Sequence, residues 1–267
     1  MSDFRIGKPN GFKPGYNSIT EIGEKKNDTG INFGILKLDA GDIWKVNHPL
    51  ESAYLLMTGQ ATFKFADEIH QVQRNSIFDE DPFAMHLPAD YQAEIKAETS
   101  CEISVSQVEN SVGFEPMWFD STNLLESEHR GKGQLDDTAY RIVRTIFDIR
   151  NRPAAKLVLG EVINFPGRWS SYPPHHHSQP EIYHYRFTKP QGYGHGELGE
   201  EVLRLKQNDT VKILNEKDHS QTAAPGYGMY YIWVIRHLKD NNYTVPEFTE
   251  EHQWLLEEDA DIWQPSI

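Results

Sequence analysis

The chain has 267 residues, enough for one large domain or two ordinary ones with a real core. Its 40 acidic residues against 26 basic ones leave a formal charge of -14, which repels phosphate backbones and anionic lipid headgroups and argues against nucleic acid or membrane surfaces as partners. No apolar run nears the roughly 20 residues of a bilayer span. The start Met-Ser-Asp-Phe-Arg lacks a signal-peptide layout, and the single Cys101 permits no internal disulfide, so a cytoplasmic protein with Cys101 buried as a small apolar residue is expected.

Twelve per cent aromatic residues with 19 Gly and 15 Pro suit many short strands joined by turns, so an all-β class is expected. Residues 31–38 (INFGILKL) and 61–65 (ATFKF) alternate apolar and polar residues at the period of a half-buried strand. Residues 54–63 read as strand, Gly59 turn, strand. Residues 111–139 are polar, weakly periodic and expected to be a linker or excursion between an N-terminal unit (1–110) and a C-terminal unit (140–267). The second unit opens with a strand near 140–147 and continues through 181–187, a Gly-rich turn at Gly192, Gly194 and Gly196, and strands near 202–205, 210–214 and 229–235. An acidic residue opens a strand at Glu51 and again at Glu181, each followed by Tyr and a Gly turn, which suggests a duplicated antiparallel β-barrel. The acidic stretch Glu250 to Asp261 is read as a solvated face with at most a short helix.

The chemically informative segment is RWSSYPPHHHSQPE, residues 168–181. On an extended strand His175 and His177 project to one face while His176 points away, which makes a two-nitrogen clamp. Glu181 opens the next strand, and His219 can return a third imidazole. Three nitrogens and one carboxylate suit one divalent ion, zinc first, with manganese, iron, nickel and cobalt as alternatives. His176, by parity, and His184, between Tyr183 and Tyr185, are read as surface or supporting residues. His48, His70, His86, His129, His195, His237 and His252 are read as structural. The first unit has no matching clamp, since His48 alone precedes Glu51 and Tyr91 stands near the place of the last ligand, so it is read as a metal-free structural or oligomerisation half.

Residues 168–175 (RWSSYPPH), 181–186 (EIYHYR) and 223–231 (AAPGYGMYY) closely resemble the 5-deoxy-glucuronate isomerase family of inositol catabolism, with weaker likeness at 51–56 and 76–79. That family consists of two-domain cupins related to the 4-deoxy-uronate isomerases. The resemblance implies a bicupin of two antiparallel β-barrels and metal ligation by His175, His177, Glu181 and His219. It departs from the family pattern at Tyr183-His184-Tyr185, at Asn208, which stands in a turn where Gly is usual and can enter the same left-handed backbone, and around Asn215 to Lys217.

A uronate substrate would need a cation for its carboxylate, and the resemblance points to Arg168 or Arg186 for that role. Ser170, Ser171 and Tyr172 would hydrogen-bond sugar hydroxyls. The isomerisation would run through an enediol or a metal-assisted hydride shift, and Glu181, Tyr185 and Tyr227, or a metal-bound water, are the acid/base candidates. Two other classes fit the same ligand set: an iron-dependent cupin dioxygenase, and a non-catalytic sugar- or metal-binding cupin. A homo-oligomer is expected because sheet edges tend to pair.

Overall fold

The computed structural model describes residues 2–257 and 259–266. The chain is all-β, with short 3-10 turns at Leu135–Asp137 and Glu250–Leu256 as its helical elements among the described residues. Its strands form three antiparallel sheets, and the pairing is that of open sheets rather than closed barrels. In the first half the 15-residue strand Glu51–Phe65 organises a nine-stranded sheet. Its first part pairs with Phe83–Leu87 and Cys101–Val108, and its second part with Glu68–Arg74 and Gln92–Ala97.

The turn expected at Gly59 is therefore a bend within one strand. A register shift lies between Leu56 and Thr58, Gly59 has φ 93°, and a Cβ there would sit 2.4 Å from the Ser100 carbonyl oxygen. A bulge at this glycine turns the strand from one layer into the next without reversing it. Of the expected Gly-rich turn, Gly192 closes a turn by donating its N–H to the Lys189 carbonyl at 2.9 Å, whereas Gly194 and Gly196 lie in a strand. Tyr193–Leu198 is a strand between Glu201–Lys206 and His219–Ala223, and a Cβ on Gly194 would lie 2.5 Å from the Thr222 carbonyl oxygen. These glycines admit close backbone approach, a role that composition does not distinguish from turn formation.

The second half stacks a seven-stranded sheet on a five-stranded one. Glu181–Phe187, Met229–Arg236, Leu157–Asn164 and Arg141–Phe147 belong to the larger, whereas Trp169–His176 and His219–Ala223 belong to the smaller. The polar stretch 111–139 is not a free linker, because Met117–Phe119 pairs with Phe83–Leu87 of the first half and Glu128–Arg130 with Arg141–Phe147 of the second. Trp118 and Phe119 are buried there, which anchors the stretch apolarly at one point. The two-residue strand Arg5–Ile6 pairs with Thr210–Ile213, so the start of the first half completes the edge of the second half's sheet. Glu250–Leu256 buries none of its side chains, in keeping with a solvated face, and residue 258 of that acidic stretch lies outside the described residues. Asn208 has φ 65°, the left-handed geometry for which asparagine can stand in for glycine. Cys101 is buried, and burial pushes its thiol up to about 11.

Three apolar clusters result. One fills the first half around Tyr54, Phe63 and Ile95, one fills the second around Tyr183, Tyr185, Leu205 and Tyr231, and one joins the halves through Phe33, Leu55, Phe147, Ile182 and Ile232. Strand alternation allots the residues: Glu181, Tyr183 and Tyr185 face the interior of the second half, whereas Ile182, His184 and Arg186 face the first half. Glu51 shares parity with Ala53, Leu55 and Met57, so it faces the junction and not the interior of its own half. It accepts hydrogen bonds from the backbone N–H of Lys156 and Leu157 at 2.8 and 3.0 Å and lies 3.0 Å from His86 Nε2. The supposed correspondence of Glu51 with Glu181 thus fails by one residue, and in a strand one residue exchanges the faces.

The junction also carries a buried charge cluster. Glu161 takes Arg74 at 2.7 Å and Arg144 at 3.0 Å on one oxygen and the Tyr230 hydroxyl at 2.7 Å on the other. Removing one member of such a cluster strands charge in a dry site. Glu161→Gln is expected to lower the free energy of unfolding by about 3 kcal/mol, read from urea titration. His184 is fully buried between Phe12 and Phe33, and not at the surface. Burial and the Arg186 charge hold its pKa well below the ordinary histidine value of 6.5, and burial also lowers that of His86. The unfolded chain therefore binds protons below 6.5 that the folded chain refuses, and stability present above that pH is lost on acidification. The midpoint of thermal unfolding should fall as the pH drops below about 6.5, and His184→Gln should flatten that dependence.

Candidate metal centre

The strand Trp169–His176 lies between His219–Ala223 and the short strand Glu247–Phe248, and His175 is the direct register partner of His219. The register breaks between Ser170 and His175, where Ser171 adopts φ 53°. This irregularity lets consecutive hydroxyls turn the same way: Ser170 Oγ lies 2.7 Å and Ser171 Oγ 3.5 Å from the Tyr231 hydroxyl. Across the sandwich, Glu181 begins the facing strand, so the centre lies where the two sheets meet.

His177, Glu181 and His219 are buried, and each offers one ligand atom within 4.8 Å of the others. His177 Nδ1 lies 2.9 Å from the Gln179 carbonyl oxygen, His219 Nδ1 3.1 Å from that of Lys217, and His175 Nδ1 3.4 Å from that of Pro173. A carbonyl only accepts, so each Nδ1 carries a proton and each ring turns its Nε2 away from that carbonyl. His177 Nε2 lies 3.1 Å from Glu181 Oε2, within hydrogen-bond distance. His219 Nε2 is 3.5 Å from the same oxygen and is a buried nitrogen with no hydrogen-bond partner. A buried nitrogen without a partner and a second imidazole, both turned to one buried carboxylate, fit a divalent ion bound by nitrogen and oxygen, with the carbonyls as its orienting outer contacts.

Burial alone would raise the Glu181 pKa, but the neighbouring imidazoles of His177 and His219 hold it below the ordinary carboxylate value. His175 stands against the group with its ring centroid 4.4 Å from that of His219, and desolvation together with the two neighbouring imidazoles keeps it well below the ordinary histidine value. His176 points away, its Nδ1 2.7 Å from Asp218 Oδ1, as strand parity requires.

A cavity of about 350 Å³ opens onto the centre, lined by Ser171, His175, His177 and Glu181. Of the other residues expected at the site, several stand elsewhere. Arg186 faces the junction and pairs with Glu102 at 3.0 Å, a consequence of its even parity on the Glu181–Phe187 strand. Arg168 lies over the rings of Tyr140 and Phe165, 5.4 and 5.2 Å from their centroids, outside the cavity lining. Tyr172 packs on Trp169, and Tyr227 lies near Tyr193. The Tyr185 hydroxyl donates to Gln221 Oε1 behind the cavity wall. Ser170 is fully buried and reaches the cavity only through the Tyr231 hydroxyl.

The residues that do line the cavity include several the motif did not single out: Arg141, Tyr183, Tyr231 and Tyr243. Parity was the available signal for two of them, since Tyr183 follows Glu181 by two and Arg141 precedes the core residue Val143 by two. Tyr243 belongs to an aperiodic strap, its ring edge-on to His177 at 5.0 Å, and no local pattern marks it. Burial first, then the Glu181 charge, pushes the Tyr183 hydroxyl well above its ordinary value, so it stays a neutral hydrogen-bond donor.

The chain is similar to several known proteins. The 5-deoxy-glucuronate isomerase of Geobacillus kaustophilus is 27% identical over 249 residues, covering 85% of this chain and 86% of the relative. That of Bacillus licheniformis is 24% identical over 282 residues, covering 95% and 98%. Among solved structures, an IolB-like protein from Salmonella typhimurium LT2 superposes with a TM-score of 0.84 at 23% identity, covering 96% of this chain and all of the other. An oxalate decarboxylase from Lactobacillus farciminis gives 0.70 at 12% identity, covering 96% and 91%. These two structural likenesses speak to the fold alone. The model of the KduI/IolB family matches residues 6–255, and the chain belongs to that family.

Proposed function

We propose that this protein is a metal-assisted aldose-ketose isomerase that converts 5-deoxy-glucuronate to 5-dehydro-2-deoxy-gluconate in myo-inositol catabolism. The isomerase reading is supported by family membership across nearly the whole chain and by relatives named 5-deoxy-glucuronate isomerase. The observation that carries the metal reading is the set of Nδ1-anchored imidazoles facing a buried carboxylate. His177, Glu181, His219 and, by a modest ring movement, His175 would hold one divalent ion, with zinc the ion proposed because it takes such mixed sets readily. When bound, the ion supplies positive charge that polarises a carbonyl and favours a developing oxyanion.

The chain's own residues then have separable tasks. The reaction removes a proton from C2 and adds one at C1, while the C2 hydroxyl becomes a carbonyl and the aldehyde becomes an alcohol. Glu128 and Asp148 also line the cavity but are tied to Arg130 at 2.8 Å and Arg150 at 2.7 Å. Glu181 is the lining carboxylate without an arginine partner among the described residues, so the proton-transfer role is assigned to it. Tyr183 and Tyr231, neutral and aimed from the facing sheet, orient sugar oxygens, and Ser171 adds a hydroxyl at the wall. Tyr185 and Tyr227, away from the cavity, fall to supporting roles.

In architecture, the proposal is a bicupin: a first unit near residues 1–110, a connecting stretch 111–139 and a second unit 140–267, with Arg5–Ile6 lent to the second unit's sheet. A cytoplasmic homo-oligomer is the proposed setting. Its support is the edge strand Glu68–Arg74, which exposes Ile69, together with the metabolic role of the named relatives; no described helix is long and apolar enough to cross a membrane.

Elemental analysis of purified protein should find about one divalent ion per chain, and an NMR assay should follow conversion of the uronate. His177→Ala should lose both the ion and turnover with the circular dichroism spectrum retained, whereas His176→Ala should keep both. An ion retained in His177→Ala would sink the proposed ligand set. Tyr185→Phe should keep kcat within about threefold, since its hydroxyl acts behind the wall, against the ~100-fold or greater loss expected for a residue that transfers the proton.

A further inference from the structure

Three arginines line the cavity, and they are not equivalent. Arg130 and Arg150 lie at the mouth with side chains 45% and 57% exposed, each neutralised by its own carboxylate. Arg141 is only 7% exposed and pairs with no carboxylate among the described residues. Its Nη1 donates to the carbonyl oxygens of Ala139 at 2.9 Å and Tyr172 at 3.2 Å. Those two bonds fix the guanidinium plane, and the edge formed by Nε and Nη2 makes no hydrogen bond with the described residues. The strand Arg141–Phe147 places it on the same face as Val143 and Thr145, in the cavity wall opposite the histidine-bearing sheet.

An unpaired guanidinium held this deep is costly, because burial removes water without supplying a counter-charge. The side-on edge of a guanidinium matches the two oxygens of a carboxylate in a planar, bidentate pair. We propose that Arg141 is the subsite for the far carboxylate of the sugar acid, so that one end of the substrate is gripped here while its carbonyl end meets the metal centre. This rests on the uronate isomerase reading given above. The role moves from Arg168 and Arg186, which strand parity and stacking carry away from the cavity, to a residue outside the motif that marks the ligands. Arg141 is thereby a specificity-determining residue: it distinguishes a hexuronate from the corresponding neutral aldose and fixes which end of the chain faces the ion.

The test uses the protein as purified, with metal content measured for each variant, and two substrates: 5-deoxy-glucuronate and 5-deoxy-glucose, which carries an alcohol in place of the carboxylate. Wild type should favour the acid by about 100-fold in kcat/KM, the scale of a charge-assisted bidentate contact. Arg141→Gln should lose that preference to within about threefold, through a rise in KM for the acid with little change for the neutral sugar, and Arg141→Lys should recover part of it. A merely structural arginine would depress both substrates equally, and that result would overturn the assignment. If wild type turned over neither sugar, the isomerase reading would fail first. Calorimetry with D-glucuronate and D-glucose would then decide separately: preference for the acid that disappears in Arg141→Gln and returns in Arg141→Lys sustains the subsite, and absence of preference in wild type refutes it.

Discussion

The period-two alternation of a β-strand is the constraint on which the site depends. On Glu181–Phe187 every second residue enters the interior of the second half, and the residues between them enter the junction with the first half. The same seven residues therefore supply a candidate ligand, the cavity-lining Tyr183 and the more deeply placed Tyr185 on one face, and an isoleucine, a buried histidine and a cross-junction arginine on the other. Neither face is solvated, which is why the strand is buried throughout and reads as apolar and aromatic with few exceptions. The polar members of its junction face each have a partner: His184 has Thr210 at 2.8 Å and Arg186 has Glu102 at 3.0 Å.

Within that frame, orientation at the centre is set by the backbone. Each imidazole has its Nδ1 near a carbonyl oxygen two residues away in sequence, a geometry that depends on local chain direction and not on any distant side chain. The rings are thus aimed before any ion arrives, and the conformational entropy of ordering them is met during folding. Behind the centre, the hydroxyls of Ser170, Ser171, Tyr183 and Tyr231 and the amide of Gln221 form a connected polar layer. Such a layer tolerates little displacement, since each lost partner leaves a buried polar atom unpaired.

Much of this was legible in the residues themselves. The all-β class followed from composition and alternation, and the facing of His175, His177 and His176 followed from parity alone. What failed did so where a one-residue offset or a non-local partner decides. Glu51 looked like Glu181 because both open strands before a tyrosine, yet the tyrosine follows at three residues in one case and two in the other. Arg186 looked like a carboxylate binder because it lies near the ligands in sequence, and even parity sent it to the opposite face. Gly59, Gly194 and Gly196 suggest turns because glycine permits both reversal and close approach, and only the neighbouring strand tells which. Tyr243 and its strap reach the cavity through tertiary packing, for which no local period exists.

The buried cluster around Glu161 has a further consequence. Glu161 faces the junction, but the next residue on its strand, Val162, lines the cavity, so the seam between the halves and the wall of the site are two sides of one ribbon. The half without the histidine clamp therefore backs the wall of the site without lining it. Excised by itself, the clamp-bearing half would turn Glu161, Arg186 and His184 toward water and forfeit the strand Arg5–Ile6, which makes the chain a poor candidate for modular dissection.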